Sequence, residues 1–178
     1  MLDYAISPAG SADAAELGRV HVGAWRETYP GILPQAALNR MSPEAHARRF
    51  RHDLTLARKG HVTLIAEGAA GAVGYAAGAL LDGQGRGRGA DAEVFTLYVL
   101  RAAQGAGVGR ALLRGAARVL QAEGAASLML FVLTRNERAR GFYERLGGEA
   151  FAEVASLGWG QGLTETAYRW TDIGRLAG

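Results

Sequence analysis

The hydrophobic pattern of the chain is strongest in two short runs, residues 93–100 and 128–133. Both runs are apolar at nearly every position and rich in β-branched or aromatic residue types. Continuous runs of this length are typical of strands buried on both faces, which lie at the centre of a sheet with helices on each side. A helical segment separates the two runs, so we expect them to be parallel neighbours joined by a right-handed crossover.

Four segments carry the hydrophobic period of an amphipathic helix. The first covers residues 12–28 with Ser11 as its N-cap, and the second follows the cap-and-proline pair Ser42-Pro43 as far as residue 58. The third segment begins inside a glycine turn and has the apolar stripe Val108, Leu112, Ala116, Val119 and Leu120. The fourth covers residues 136–146.

Shorter hydrophobic runs complete the predicted sheet. They cover residues 2–6, 61–66, 73–81, 149–155 and 164–171, and the pair 61–66 and 73–81 is expected to form a hairpin. The order is strand, two helices, three strands, helix, strand, helix and two strands. This order predicts one α/β domain over residues 1–178, with a mixed sheet and helices on both faces.

Composition narrows the function classes. The 178 residues are 49% hydrophobic and 21% charged, and the net charge of +3 gives only a weak case for nucleic acid. The chain has no cysteine, which excludes disulfides, thiolate zinc sites and a cysteine nucleophile. No apolar run approaches the ~18 residues of a membrane span, and no carboxylate or histidine cluster has metal-ligand spacing. We therefore expect a cytoplasmic protein without a membrane partner or a metal.

The turn after the first buried run has glycine at positions 105, 107 and 109. Glycines at a strand-to-helix turn let a phosphate approach the unpaired N–H groups of the helix. A P-loop would need Gly-Lys-Ser/Thr, but Arg110-Ala111 follows Gly109, and a dinucleotide fingerprint would need glycine in place of Arg110. Two interpretations are left: a Gln-x-x-Gly-x-Gly phosphate loop that begins at Gln104, and a plain glycine-rich connection.

The string from Leu97 to Leu113 resembles the acetyl-CoA pyrophosphate loop of the GNAT superfamily, the general-control-related N-acetyltransferases. The order of elements resembles the GNAT fold over almost the whole chain, although Leu100 and Gln104 replace the proline and arginine that the family often has. The resemblance implies a mostly antiparallel seven-stranded sheet with a splayed central parallel pair, and acetyl-CoA as co-substrate. The implied cofactor-binding residues are Leu97, Tyr98, Val99, Gln104, Gly105, Ala106, Gly107, Val108, Gly109, Arg110, Asn136 and Tyr143.

The segment that begins at Asn136 resembles the Asn-x-x-Ala-x-x-Phe-Tyr-Glu helix of GNAT enzymes. Asn136 and Tyr143 are two helical turns apart and share a side of the helix. By the resemblance, Asn136 would bond the pantetheine arm and Tyr143 would lie near the cofactor sulfur. Four arginines are candidates to pair with the cofactor phosphates: Arg101, Arg110, Arg114 and Arg140.

Acetyl transfer to an amine needs a group that accepts the amine proton and a group that protonates the departing thiolate. Tyr143 is the expected acid, and its alternative role is a core tyrosine with the hydroxyl at the surface. Glu93 precedes Val99 by six residues, where some family members carry their base, and it is the tentative base. Its alternative role is a solvated glutamate at a strand start. A backbone N–H around Val99 could stabilise the oxyanion.

The acceptor site is expected between the first two helices and the last hairpin. Trp25, Tyr29 and Trp159 are its candidate residues, and packing is the alternative for both tryptophans. The expected function is N-acetylation of a small molecule or peptide by direct attack. The alternatives are a non-catalytic acyl-CoA-binding or regulatory module and, more weakly, a nucleic-acid binder that uses the Arg-Gly-Arg-Gly segment at 86–89. A homodimer is the common default for soluble oligomers.

Overall fold

The structure is a computed structural model of the chain, and it describes residues 3–56, 58–82, 89–156 and 162–178. Seven strands form one sheet in the order β1-β2-β3-β4-β5-β7-β6. The strands are β1 (Tyr4–Pro8), β2 (His61–Gly68), β3 (Gly71–Leu80), β4 (Ala92–Val99), β5 (Leu128–Leu133), β6 (Glu149–Ala155) and β7 (Thr164–Trp170). The helices are α1 (Ala14–Thr28), α2 (Gln35–Arg40), α3 (Pro43–Thr55), α4 (Val108–Ala122), α5 (Glu137–Arg145) and α6 (Ile173–Ala177).

The parallel pair at the centre of the sheet is paired over a very short length. β4 and β5 meet only where Ala92 lies opposite Leu128 and Glu93 lies opposite Met129, and beyond these positions they diverge. Every other neighbouring pair in the sheet is antiparallel. The expected mixed sheet with a splayed parallel pair is therefore confirmed.

Helices cover the sheet unevenly. On one face, α4 and α6 pack over a large core to which β2, β4 and β5 contribute, with Val94 and Leu130 among its buried residues. On the other face, α1 and α3 cover Ile65 and Tyr75 of the first half of the sheet. Among the described residues, no helix has the length and apolar character needed to cross a membrane.

The expectation that residues 93–100 are buried on both faces was wrong for the second half of that run. Phe95 is 49% exposed, and the residues from 96 to 100 are only partly buried. Two causes combine: a bulge opposite Ala77 and Gly78 leaves Phe95 as an extra residue, and β5 has already separated from β4. Val119 of the predicted α4 stripe is also exposed, at 38%.

The helix caps follow the prediction in one case and not in the other. The Ser42 hydroxyl accepts from the Ala45 N–H at 3.2 Å and caps α3, as predicted. Ser11 does not cap α1, because the Asp13 carboxylate accepts the Gly10 N–H at 2.7 Å and a 3₁₀ turn over Ser11–Asp13 precedes the helix. The short helices α2 and α6 were not predicted.

α1 and α3 cross closely at Gly18. A Cβ at this position would collide with the Pro43 carbonyl oxygen and lie 2.9 Å from the Ala47 nitrogen. Both neighbours are backbone atoms, which cannot move aside as a side chain can. The absence of a side chain at Gly18 therefore sets the distance between the two helices.

We expect Gly18→Ala to lower the free energy of unfolding by about 1–3 kcal/mol, because the added methyl forces α1 and α3 apart. Urea denaturation followed by circular dichroism measures the change. Gly10→Ala is the matched control, because its nearest neighbour is the Asp13 carboxylate at 3.9 Å, and we expect it to be neutral or slightly stabilising. Equal stability of Gly18→Ala and the wild-type protein would contradict the close crossing.

Candidate active site

The divergence of β4 and β5 opens a cleft between residues 94–99 of β4 and residues 130–133 of β5. It is closed at the end where Glu93 lies opposite Met129 and open at the carboxyl ends of both strands. The amino ends of α4 and α5 follow those two strand ends.

The glycine loop lies at the open end of the cleft. After β4, a 3₁₀ turn over Arg101–Ala103 leads to Gly105 (φ +80°) and Gly107 (φ +89°), and α4 begins immediately after Gly107. Both φ angles lie in the left-handed region, which favours glycine. No side chain caps α4 and no acidic residue lies in its first turn, so the first N–H groups of the helix can bind an anion.

Gly109 differs from the two glycines before it, because its φ angle is not in the left-handed region. A Cβ at Gly109 would lie 3.4 Å from the Phe142 ring of α5, which is an ordinary van der Waals distance. The loop therefore favours glycine for its backbone conformation at 105 and 107.

The backbone of Val99 is turned toward the cleft. The Leu100 N–H donates to the Val73 carbonyl of β3 at 2.9 Å, and successive N–H groups of a strand point to opposite sides. The Val99 N–H and carbonyl therefore point away from β3, toward the side that β5 has left. The Gln104 side chain donates to the Val99 carbonyl at 2.8 Å, which joins the end of β4 to the glycine loop.

Two of the four candidate arginines are engaged within the protein. The Arg101 guanidinium donates to the Glu27 carbonyl at 2.6 Å, while the Glu27 carboxylate accepts the Arg101 N–H at 2.7 Å. Arg140 donates to the Tyr168 hydroxyl and to a backbone carbonyl, each at 3.3 Å. Arg110 and Arg114 line a groove of about 680 Å³ between β1 and α4, next to the glycine loop.

α5 presents Asn136 and Tyr143 beside the cleft. Asn136 is the N-cap of α5, because its side-chain oxygen accepts the Ala139 N–H at 3.2 Å, and its NH₂ group is the part of the side chain that can donate to a ligand. Tyr143 is 7% exposed and packs between Phe142 and Tyr168, with ring centroids 5.3 and 5.8 Å away. Burial raises the pKa of Tyr143 well above its ordinary value, and the nearby Tyr29 adds to the effect, so the phenol keeps its proton.

Trp25 and Tyr29 lie on the side of the sheet that α1 covers, at the open end of the cleft. Trp25 is 7% exposed and Tyr29 is 8% exposed, and both pack with Leu133 of β5. The hydroxyl oxygens of Tyr29 and Tyr98 are 3.5 Å apart. These two candidates are thus brought to the cleft together with Tyr98, whereas Trp159 lies outside the described residues.

Glu93 lies at the closed end of the cleft. Its strand partners are Ala79 on one side and Met129 on the other. Leu97, in the middle of the cleft, pairs with Ala76, three β3 residues away, which is about 10 Å at the rise of a strand. Glu93 therefore shares the cleft with the other candidates but lies about three residues below its centre.

Glu165 of β7 is a carboxylate at the cleft that the sequence analysis missed. Its strand partner is Leu133 of β5, and the Ser156 hydroxyl donates to its carboxylate at 3.2 Å. Burial raises the pKa of Tyr29, the hydrogen bond with Tyr98 lowers it, and the negative charge of Glu165 raises it. The one sequence signal is a charged residue inside the alternating strand 164–170, and its meaning depends on β7 lying next to β5.

His21 supports the cleft from behind Tyr98. Its Nδ1 lies 2.6 Å from the Tyr75 hydroxyl oxygen, and its ring lies 4.2 Å from His46 and 5.3 Å from Tyr98, between centroids. Burial, followed by the charges of His46 and Arg49, lowers the pKa of His21 to about 3 from an ordinary value of 6.5. His21 is thus neutral at physiological pH. No group of three or more potential ligands able to hold a metal occurs in the described parts of the chain.

Comparison with known proteins gives a consistent picture. The model of the acetyltransferase (GNAT) family matches residues 24–148. The "uncharacterized N-acetyltransferase YuaI" of Bacillus subtilis (strain 168) is 30% identical over 166 residues, which cover 92% of the present chain and 91% of that protein.

Solved structures show the same fold at low identity. The PaiA N-acetyltransferase of Thermoplasma acidophilum, in complex with coenzyme A, has a TM-score of 0.76 at 17% identity over 94% of the present chain and 98% of its own. The putative acetyltransferase yncA of Salmonella typhimurium, with its cofactor acetyl-CoA, has a TM-score of 0.70 at 22% identity over 96% and 94% of the two chains.

The buried His21 predicts a loss of stability in acid. Between pH 6.5 and about 3, the unfolded chain protonates His21 and the folded chain does not. The stability that His21 contributes is therefore complete above pH 6.5, and it is lost as the pH falls through this window, at up to about 1.4 kcal/mol per pH unit. Urea denaturation from pH 7 to pH 4 should show a shallower pH dependence for His21→Asn than for the wild-type protein.

His52→Asn, at an exposed position of α3, is the control for the exchange of histidine for asparagine. Identical pH dependence of His21→Asn and the wild-type protein would show that His21 is not held neutral by burial.

Proposed function

The chain belongs to the acetyltransferase (GNAT) family, and on that premise we propose that it transfers the acetyl group of acetyl-CoA to an amine nitrogen of a small molecule or peptide. One observation carries the proposal. The glycine loop and the open end of the cleft lie side by side, so a phosphate site at α4 adjoins a slot between two strands. A long ligand with an anionic part and a thin arm fits this arrangement.

The loop supplies the groups that would bind the pyrophosphate. The N–H groups of Val108, Gly109 and Arg110 occupy the first turn of α4, which has no capping side chain. A Cβ at Gly105 would have no described atom within 4 Å, so the loop is open to a ligand. In the proposal, Val99 and the Asn136 NH₂ group bond the pantetheine arm along the cleft.

Tyr143 is the proposed acid for the departing thiolate. Its pKa is raised by burial, so the phenol keeps its proton at neutral pH and can donate a hydrogen bond to the sulfur as the carbon–sulfur bond breaks and negative charge develops there. The cleft-facing Val99 N–H is the proposed donor to the oxyanion that forms when the amine attacks the thioester carbonyl. In this scheme the amine attacks the thioester directly, and no covalent acetyl-enzyme intermediate forms.

Glu93 is proposed as the base that accepts the proton of the amine. Its position about 10 Å below the centre of the cleft requires at least one water between the carboxylate and the amine. A cytoplasmic location and a homodimer also remain proposals, and they rest on the sequence alone. The non-catalytic acyl-CoA-binding alternative predicts that no amine promotes the release of free CoA.

Gly107→Glu should abolish binding of acetyl-CoA, because the new side chain adds strain at φ +89° and a negative charge at the proposed pyrophosphate site. Isothermal titration of the wild-type protein should give micromolar affinity, about −8 kcal/mol. Gly124→Glu is the matched control: Gly124 also has a positive φ, +103°, but it follows the opposite end of α4. Equal binding by both variants would contradict the loop assignment.

Tyr143→Phe should lower kcat by a factor of about 10²–10⁴, since a positioned acid contributes to that extent, and should leave the Kd for acetyl-CoA unchanged. Steady-state release of CoA with an amine acceptor measures kcat, and calorimetry measures Kd. Tyr168→Phe is the control, because it removes a phenol from the same cluster, one that donates to Glu144 at 2.6 Å. An equal loss of kcat and affinity in Tyr143→Phe would refute the assigned role.

A further inference from the structure

We propose that Glu165 is the residue that recognises the acceptor, and that the acceptor is therefore an amine bound in its positively charged ammonium form. The inference rests on the proposed function, because it concerns the acceptor side of the same cleft. It adds a substrate class and a specificity-determining residue that neither the glycine loop nor α5 implies.

The position of Glu165 follows from the strand register. Glu165 of β7 lies opposite Leu133 of β5, and side chains of directly opposed residues in an antiparallel pair share a face of the sheet. Leu133 packs against Trp25 and Tyr29. The Glu165 side chain is thus on the face that α1 covers, at the open end of the cleft and beside the segment that follows α1.

The surroundings of Glu165 favour a cationic partner. The residue is partly buried, and its opposed neighbour Leu133 belongs to an apolar cluster with the two aromatic side chains. In the described parts of the chain, its carboxylate accepts from the Ser156 hydroxyl and forms no ion pair. An ammonium ion beside this carboxylate would form a charge-assisted hydrogen bond at a position partly shielded from water.

The phenols next to Glu165 connect it to the reacting end of the cleft. Burial raises the pKa of Tyr29, and the negative charge of Glu165 adds to that rise, so the Tyr29 phenol keeps its proton at neutral pH. The Tyr29 and Tyr98 hydroxyl oxygens are 3.5 Å apart, so their rings form two neighbouring aromatic surfaces. Aromatic faces attract an ammonium ion, and the carboxylate gives it a fixed end point.

Glu165 and Glu93 occupy opposite ends of the cleft. Glu165 pairs with Leu133 of β5, and Glu93 pairs with Met129 of the same strand. Leu133 and Met129 are four residues apart, which is about 13 Å at the rise of a strand. A carboxylate in contact with an ammonium ion stabilises the charged form, which suits capture of the acceptor. In this scheme the amine leaves Glu165 and moves along the cleft toward the thioester, and it then loses its proton through water to the proposed base Glu93.

The test compares benzylamine, which is an ammonium ion at pH 7.5, with aniline, which is neutral at that pH and nearly the same size. Wild-type protein should have the higher kcat/KM for benzylamine. Glu165→Gln should raise the KM for benzylamine at least tenfold, leave the KM for aniline unchanged and leave the Kd for acetyl-CoA unchanged. Glu165→Asp, which keeps the charge, should restore part of the lost affinity for benzylamine.

Glu153→Gln is the matched control, because Glu153 is an exposed carboxylate on the neighbouring strand β6. An unchanged KM for benzylamine in Glu165→Gln, or an equal rise for both amines, would overturn the inference while the proposed function stands. Wild-type protein that binds acetyl-CoA but acetylates no amine would instead overturn the proposed function, and this inference with it.

Discussion

The early end of hydrogen bonding between β4 and β5 is the constraint on which the rest of the site depends. Two paired positions hold the strands together, and beyond Glu93 and Met129 each strand leaves backbone groups that its former partner no longer satisfies. Unpaired backbone in the interior of a sheet is costly unless something else bonds to it. On β4, the bond from Gln104 to the Val99 carbonyl is one such replacement, and in the proposed function the pantetheine arm supplies others.

Because β4 and β5 diverge, the two faces of the sheet contribute different parts of the proposed site. α4 packs under the cleft and turns its uncapped amino end toward the open side, where an anion would be bound. α1 packs on the other face, and the Glu27–Arg101 pair ties its carboxyl end to the turn before the glycine loop. Cofactor and acceptor would thus approach from opposite faces and meet between the strands, with α5 closing one side through Tyr143.

Local pattern was sufficient for most elements of the fold. Continuous apolar runs located β4 and β5, and residues 128–133 matched the observed bounds of β5 because nothing competes with a strand in Leu-Met-Leu-Phe-Val-Leu. The cap at Ser42 was predictable, since proline follows it. The Ser11 cap was wrong because a 3₁₀ turn over Ser11–Asp13 precedes α1, and the Asp13 carboxylate closes that turn by accepting the Gly10 N–H. The exposure of Phe95 depends on a bulge and on a departing neighbour, which periodicity does not encode.

The site residues also fall into two groups, those that local sequence pattern could indicate and those that depend on the fold. Tyr143 and Asn136 could be paired from their helical spacing alone, and the glycine loop from its place after a buried strand. The role proposed for Glu165 could not be predicted from the sequence, because it depends on β7 lying between β5 and β6, which brings Glu165 opposite Leu133. The prediction that β4 and β5 diverge came from the family resemblance, because a hydrophobic pattern does not indicate where two strands stop pairing.

A crystal structure of the protein with bound coenzyme A is the most direct test of the account. We expect the pyrophosphate to accept hydrogen bonds from the N–H groups at the start of α4. We also expect the pantetheine arm to lie between β4 and β5, with the sulfur within hydrogen-bond reach of the Tyr143 hydroxyl. Coenzyme A bound outside the cleft, or with its sulfur far from Tyr143, would contradict the central claim that the separation of β4 and β5 creates the catalytic site.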